Sequence, residues 1–184
     1  MLLPLAPEPF TAPTDRDMLP SERRAFVRTH RTCVFGYGRV HDGPAMSVVY
    51  YIPTDADELL VSTMAARGKA RAVLRNPKVS LCVLDDRWPF TYLQVYADAT
   101  IDHDRHLVVD VMMAVGGRMS GEPLGEEARP FVEAMAEEER RVVVRCRPYA
   151  TFAQPPRHLE RNDQTEPLTH WVSATVLWDA PDPT

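Results

Sequence analysis

Apolar and polar positions alternate with a period of two along much of the chain. The clearest stretch is 91–101: Leu93, Val95, Ala97, Ala99 and Ile101 fall on one side, and Tyr92, Gln94, Tyr96, Asp98 and Thr100 on the other. That pattern predicts a half-buried antiparallel strand. Shorter β-forming runs precede it at 33–40, 46–52, 58–63 and 79–84. Another follows at 141–153, built on Val142, Val143 and Val144. His41-Asp42-Gly43-Pro44 predicts the turn of a hairpin between the first two runs, and 53–57 the next turn. The run at 171–178 predicts one last strand, laid on a partner subunit.

Helical patterning is sparser. Ser21 reads as the N-cap of a short helix that starts at Glu22. A second short helix spans 67–76 and stops before Pro77, because the residue preceding a proline leaves the helical region. Two more cover 104–118 and 126–140, separated by a Gly/Pro-rich break, and Met112 and Met113 read as core filling. The order of hairpin, strand, short helix, strand, strand has no βαβ alternation. It predicts a mainly β domain with inserted helices, a small barrel. The expected organisation is an extended N-terminal arm at 1–18, the barrel domain at 19–153, and a C-terminal extension at 154–184 that packs on the partner subunit.

Composition narrows the function. The 184 residues are 45% apolar with a net charge of −5, so no overall field draws the protein to nucleic acid or anionic lipid. Any anion site must be local. Cys33, Cys82 and Cys146 lie singly in apolar runs and read as buried free thiols. No apolar run approaches the ~18 residues of a spanning helix. Pro4, Pro7 and Pro9 interrupt the apolar start, which lacks a basic region, so no signal peptide is expected and the location reads as cytoplasmic.

One local contrast stands out. From Leu59 to Leu84 there is no acidic residue, yet Arg67, Lys69, Arg71, Arg75 and Lys78 all fall inside. A solvated helix would usually carry Glu four residues from its cations. Ser62 and Thr63 end the preceding strand, and Gly68 sits at the helix start, so hydroxyls, cations and free helix N–H groups form an anion cradle. The spacing suits one phosphate held by Arg67, Lys69 and Arg71, with Arg75 and Lys78 solvated. His103 and His106, with Asp102 and Asp104, have ligand spacing but no further ligand, and read as a capped helix start with no metal. Asp85-Asp86 reads as a turn, and Glu137-Glu138-Glu139 as a solvated face. There is neither a GxGxxG nor a nucleophile elbow.

The segment Arg67-Gly-Lys69-Ala-Arg71, followed by Arg75-Asn-Pro77 and a strand, resembles the hallmark of the pyridoxamine-phosphate-oxidase-like split barrels. The nearest pattern is their B-type flavin/deazaflavin oxidoreductases, many of which use coenzyme F420. Pro89-Phe90-Thr91-Tyr92-Leu93-Gln94-Val95 is similar to a strand motif of that family, and 42–50 to its upstream hairpin. The resemblance covers 19–153. It implies an FMN-binding split-barrel-like fold, a homodimer with the site at the subunit interface, and hydride transfer from F420, or alternatively FMN, to an activated C=C or C=O of a small or planar metabolite. A non-catalytic flavin-binding module stays open. The resemblance assigns the phosphate to Arg67, Lys69 and Arg71 beside Ser62 and Thr63. It lays Ser47, Val49 and Tyr50 along the ring, with Ser47 and Tyr50 as candidate proton donors, and makes Trp88 or Tyr92 the partner wall. It further implies that Arg75 and Lys78 meet the oligoglutamate tail of F420. The chain departs from the family at Val95-Tyr96-Ala97-Asp98, where a glycine is usual, and after residue 154.

Overall fold

The computed structural model describes residues 1–6, 8–13, 16–87, 90–153 and 175–183. Eight strands form one sheet: β1 (Thr32–Tyr37), β2 (Ala45–Tyr50), β3 (Ile52–Pro53), β4 (Leu59–Met64), β5 (Lys78–Asp85), β6 (Thr91–Asp102), β7 (Arg141–Ala153) and β8 (Thr175–Leu177). The order is β2-β1-β5-β6-β7-β4-β3, with β8 added to β7, and every pairing is antiparallel. The sheet curls until β4 comes back against β2 without pairing to it. The result is a mainly β split barrel, as expected.

The period-two pattern fills the barrel. Phe35, Leu81, Val83, Leu93, Val95 and Val144 are fully buried in one interior cluster. β6 and β7 slip register between Tyr96 and Ala97, opposite Pro148, a residue that lacks an N–H for the ladder. Four helices pack around the sheet: α1 (Pro20–Thr29), α2 (Gly68–Arg75), α3 (Arg105–Ser120) and α4 (Arg129–Glu138). α3 and α4 form a second apolar layer in which Met112 and Met113 meet Ile52, Leu60 and Val143. The outer face of β4 and β7 is thereby buried as well as the inner one. Among the described residues no helix is long and apolar enough to cross a membrane.

Two local readings change. α1 begins at Pro20, with Leu19 in the capping position, and the Glu22 carboxylate accepts the Leu19 N–H at 2.8 Å. Ser21 instead bonds Asp182, through its N–H at 2.9 Å and its hydroxyl at 2.5 Å. The run 46–52 is two strands, broken at Tyr51. Of the run at 171–178, Thr175–Leu177 pairs with β7 of its own chain and 171–174 lie outside the described residues; Arg24 donates to the Trp178 carbonyl at 2.7 Å.

The Tyr51 corner sets the shape of the site. Its side chain is fully buried, and its hydroxyl donates to the Val27 carbonyl at 2.6 Å. The chain passes through it from the edge strand β2 directly to β3, which pairs with the start of β4. β2 and β4 are thus pinned together at one end and separate towards Ala45 and Met64 at the other.

Charge is mostly paired across the sheet. Glu58 accepts from Arg145 and from Arg147 at 2.8 Å, and Arg145 also donates to Asp102 at 2.9 Å. Burial alone would raise the Glu58 carboxyl, but these arginines outweigh it and hold the group below its usual range. At the other end Asp85 takes two hydrogen bonds from the Arg87 guanidinium, at 2.9 and 2.6 Å, which bring it to about 2. Buried His30 stacks on Phe26, with ring centroids 4.0 Å apart, and lies 3.6 Å from Asp85. Burial favours its neutral form.

All three groups bind protons less readily folded than unfolded, so their stabilisation is present at neutral pH and is lost as pH falls. Loss begins below ~6.5 with His30 and continues below ~4 with the carboxylates. Asp85 alone, moved from 3.8 to about 2, accounts for roughly 2 kcal/mol. Urea midpoints between pH 8 and pH 3 should fall in those two stages; a flat profile down to pH 4 would contradict the assignment to His30.

Candidate functional site

The open end of the seam is roofed by the start of α2. β4 ends at Met64, the Ala65 N–H donates to the Arg140 carbonyl at 3.0 Å, and Arg67 occupies the N-cap position in an extended conformation. No acidic residue sits in the first turn, so the positive end of the helix is uncompensated. Gly68 leaves room here: a Cβ would stand 2.8 Å from the Tyr37 hydroxyl, so that side chain would have to shift. Without a Cβ there, Tyr37, at the end of β1, lies against the helix start.

Beneath this roof is a cavity of about 370 Å³ lined by Tyr37, Ser47, Ser62, Thr63, Lys69 and Arg141, among others. Its size lies at the lower end of the range of small-molecule sites, roughly 300–1,000 Å³. The Ser47 and Ser62 hydroxyls are buried without a hydrogen-bond partner. Such groups cost ~1–3 kcal/mol each unless a ligand or water satisfies them. Lys69 extends inward, its ammonium 5.7 Å from the centroid of the buried Phe35 ring. Burial, reinforced by Arg67 and opposed by the Cys33 thiol, lowers its pKa. No carboxylate pairs with it among the described residues. Two orphan hydroxyls, a half-buried unpaired ammonium and a free helix start fit the phosphate end of a planar cofactor.

The structure brings Ser47, Ser62, Thr63, Arg67 and Lys69 together at this cavity. Arg71 is parted from Arg67 and Lys69: with Arg75 it lines a neighbouring cleft on the far side of Tyr37 and Gly68. Lys78 is not free, since it pairs with Asp98 at 2.7 Å and lies 4.5 Å from the centroid of the Tyr149 ring. The acid-free stretch of sequence hid that partner, which the β5–β6 register supplies. Val49 packs on the interior core, and Tyr50 falls on the face of β2 opposite Ser47. Tyr92 pairs with Leu84, five residues along β5 from Val79, the partner of Tyr37. Within one chain it is therefore at the wrong end of the strand to touch the cavity. Trp88 lies outside the described residues.

Tyr37 and Arg141 were missed. Arg141 faces Met64 across β4–β7 and is held by Glu139 at 2.5 Å; only that non-local register brings it to the site, so no local signal marks it. Tyr37 could have been found as the continuation of the Cys33, Phe35 alternation. Elsewhere Asp104 caps α3, accepting from the His106 and Leu107 N–H groups at 2.8 and 3.2 Å. No group of three potential metal ligands occurs among the described residues. Burial pushes the Cys33 and Cys146 thiols far up, which keeps them from nucleophilic chemistry.

Residues 19–153 match the family model described as pyridoxamine 5'-phosphate oxidase. No curated protein matches the chain. Among solved structures, a conserved hypothetical protein from Mycobacterium tuberculosis is similar at 24% identity with a TM-score of 0.67, over 85% of this chain and 99% of that one. A structure described as an F420 reductase is 23% identical with a TM-score of 0.51, over 67% and 90% of the two chains. A heme-binding protein from Mycobacterium smegmatis is 10% identical with a TM-score of 0.59, over 89% and 59%. At these identities the likeness is one of fold.

The orphan hydroxyls yield a stability test. Ser62→Ala removes a buried, unsatisfied group, so the cofactor-free protein should gain up to about 1 kcal/mol. Thermal melting of the apo protein checks this, and a clear loss of stability would mean that the hydroxyl already has a partner.

Proposed function

The chain belongs to the pyridoxamine 5'-phosphate oxidase family, and from that membership we propose that it is an oxidoreductase holding coenzyme F420, or alternatively FMN, in the cavity at the barrel seam. The observation that carries this reading is the conjunction of Lys69, unpaired and half-buried, with the orphan hydroxyls of Ser47 and Ser62 in one cavity. The cofactor would supply hydride transfer to an activated C=C or C=O of a small or planar metabolite. The chain's own residues bind and orient. Lys69 and Arg67 would hold phosphate oxygens, the N–H groups at the start of α2 would add neutral donors, and the Ser62 hydroxyl would donate from β4. Ser47, on the β2 side of the cavity, would donate a hydrogen bond to the cofactor or a proton to the substrate.

A second copy of the chain completes the reading. Met46 and Val48, 70% and 74% exposed, project from the outer face of β2 beside the seam. An edge strand with exposed apolar side chains needs a cover, and a partner seated there closes the open side of the cavity. Sedimentation should give a dimer at micromolar concentration; a cofactor-loaded monomer would remove the shared site.

Lys69→Met tests the cofactor assignment, because it keeps the stem over Phe35 and deletes only the charge. A charged hydrogen bond to phosphate is worth ~1.5–3 kcal/mol, so affinity should fall roughly 10- to 150-fold. The melting temperature of the apo protein should hold or rise, since a desolvated, unpaired ammonium is removed. Turnover at saturating cofactor should change far less than affinity, the phosphate being remote from the reacting atoms. Titration of both proteins with F420 and FMN measures this and separates the two cofactors. Unchanged affinity for both would overturn the assignment, and binding of either without turnover would favour a flavin-binding module.

A further inference from the structure

The chain carries very few amines. Nineteen of its twenty-one basic side chains are arginines, and the lysines are Lys69 and Lys78 alone. With the Met1 amino group they make three amines. Two of these are held by carboxylates: Met1 by Asp55 at 2.6 Å and Lys78 by Asp98 at 2.7 Å. Lys69 has no such partner among the described residues, and it is the amine that lines the cavity at the seam.

An ion pair makes an amine a poor nucleophile, because the carboxylate stabilises the protonated form, which has no free electron pair. The hydrogen bond to Asp98 acts in that way on Lys78 and raises its pKa. Lys69 is in the opposite state. Burial, opposed by the Cys33 thiol and reinforced by Arg67, lowers its pKa, so a larger share of the amine is free at neutral pH. An arginine at 69 could grip a phosphate at least as well, but its guanidinium stays protonated and cannot attack. The lysine brings a property that the arginines lack. The cavity also offers what acyl transfer needs. The buried Ser47 and Ser62 hydroxyls have no partner, and the first turn of α2 carries no acid beside its free N–H groups. Donors of this kind stabilise the oxyanion that forms when an amine adds to a carbonyl. With Arg67 and Arg141 on the cavity wall, a donor whose leaving group is phosphate suits the charge.

We infer that Lys69 is an acylation site, taking the acyl group of a small acyl phosphate. The amine nitrogen attacks the carbonyl carbon and a C–N bond forms. The C–O bond to phosphate breaks, its electron pair leaves on the phosphate, and the proton lost from nitrogen passes to water. The product is a neutral amide, so the modification removes the cation from the start of α2. No redox partner is consumed. The site stands on the amine and its surroundings; only its effect on cofactor loading rests on the proposed function.

The full chain, free of cofactor, is treated with acetyl phosphate at neutral pH, and acetylated peptides are followed over time by mass spectrometry. Lys69 should react first, with Lys78 and the Met1 amine still largely free when half of Lys69 is converted. Protein acetylated at Lys69 should bind FMN and F420 roughly 10- to 150-fold more weakly, the loss expected of one charged hydrogen bond, while its melting temperature holds or rises. Lys69→Arg keeps the cation and removes the nucleophile. Acetyl phosphate should leave the affinity of that variant for either cofactor, whatever its starting value, where it was. Label arriving at Lys78 or Met1 before Lys69, or at all three together, overturns the site, because exposure and not the cavity then sets the order. A Lys69→Arg protein that loses affinity on treatment as the unmodified sequence does overturns the link between this amide and the cofactor. If untreated protein binds neither FMN nor F420, the cofactor reading falls, while the order of labelling still decides the acylation site.

Discussion

The site depends on a sheet that curls round on itself and is prevented from closing. Tyr51 is the constraint. Buried completely, and anchored to α1 by its hydroxyl bond to the Val27 carbonyl, it forces the chain to leave β2 and enter β3 within one residue. β4 is then tied to the same corner through β3. From there β2 and β4 run out side by side without a shared ladder, and the gap at their far ends must be filled by something other than backbone. The start of α2 covers it, and what remains is the cavity. At the open seam the Ser47 and Ser62 hydroxyls are buried and unmet.

Electrostatics then distinguishes this seam from the rest of the surface. Across β4, β6 and β7 the chain pairs its charges, as in the set formed by Glu58, Asp102, Arg145 and Arg147. At α2 it does not. The same eight-residue helix lacks an acid in its first turn and presents cations on both sides of Tyr37. Native stability is marginal, so unpaired cations, orphan hydroxyls and a desolvated lysine gathered in one place are costs that persist where a ligand offsets them.

Much of this could be read from the residues. The alternation in 91–101 predicted β6 and its buried face, Asp104 was legible as a cap, and the acid-free stretch pointed to α2. What could not be read was whatever depends on register between distant strands. Arg141 reaches the cavity because it faces Met64, and Lys78 leaves the cationic group because it faces Asp98. Neither pairing has a local signature. The division of Arg67 and Lys69 from Arg71 was equally hidden, because helical spacing puts Arg67 and Arg71 on one face, while only the close approach of Tyr37 to Gly68 shows that this face is split. Tyr50 was misplaced for a simpler reason: the turn at Tyr51 does not alter alternation within β2, so Tyr50 remains opposite Ser47.

The central claim is that the seam between β2 and β4 holds the phosphate of a redox cofactor. The direct measurement is a crystal structure of the protein loaded with FMN or F420. The account predicts a phosphate oxygen within hydrogen-bond distance of the Lys69 ammonium and the Ser62 hydroxyl. A cofactor bound elsewhere on the barrel, with Lys69 still unpaired over Phe35, would contradict it.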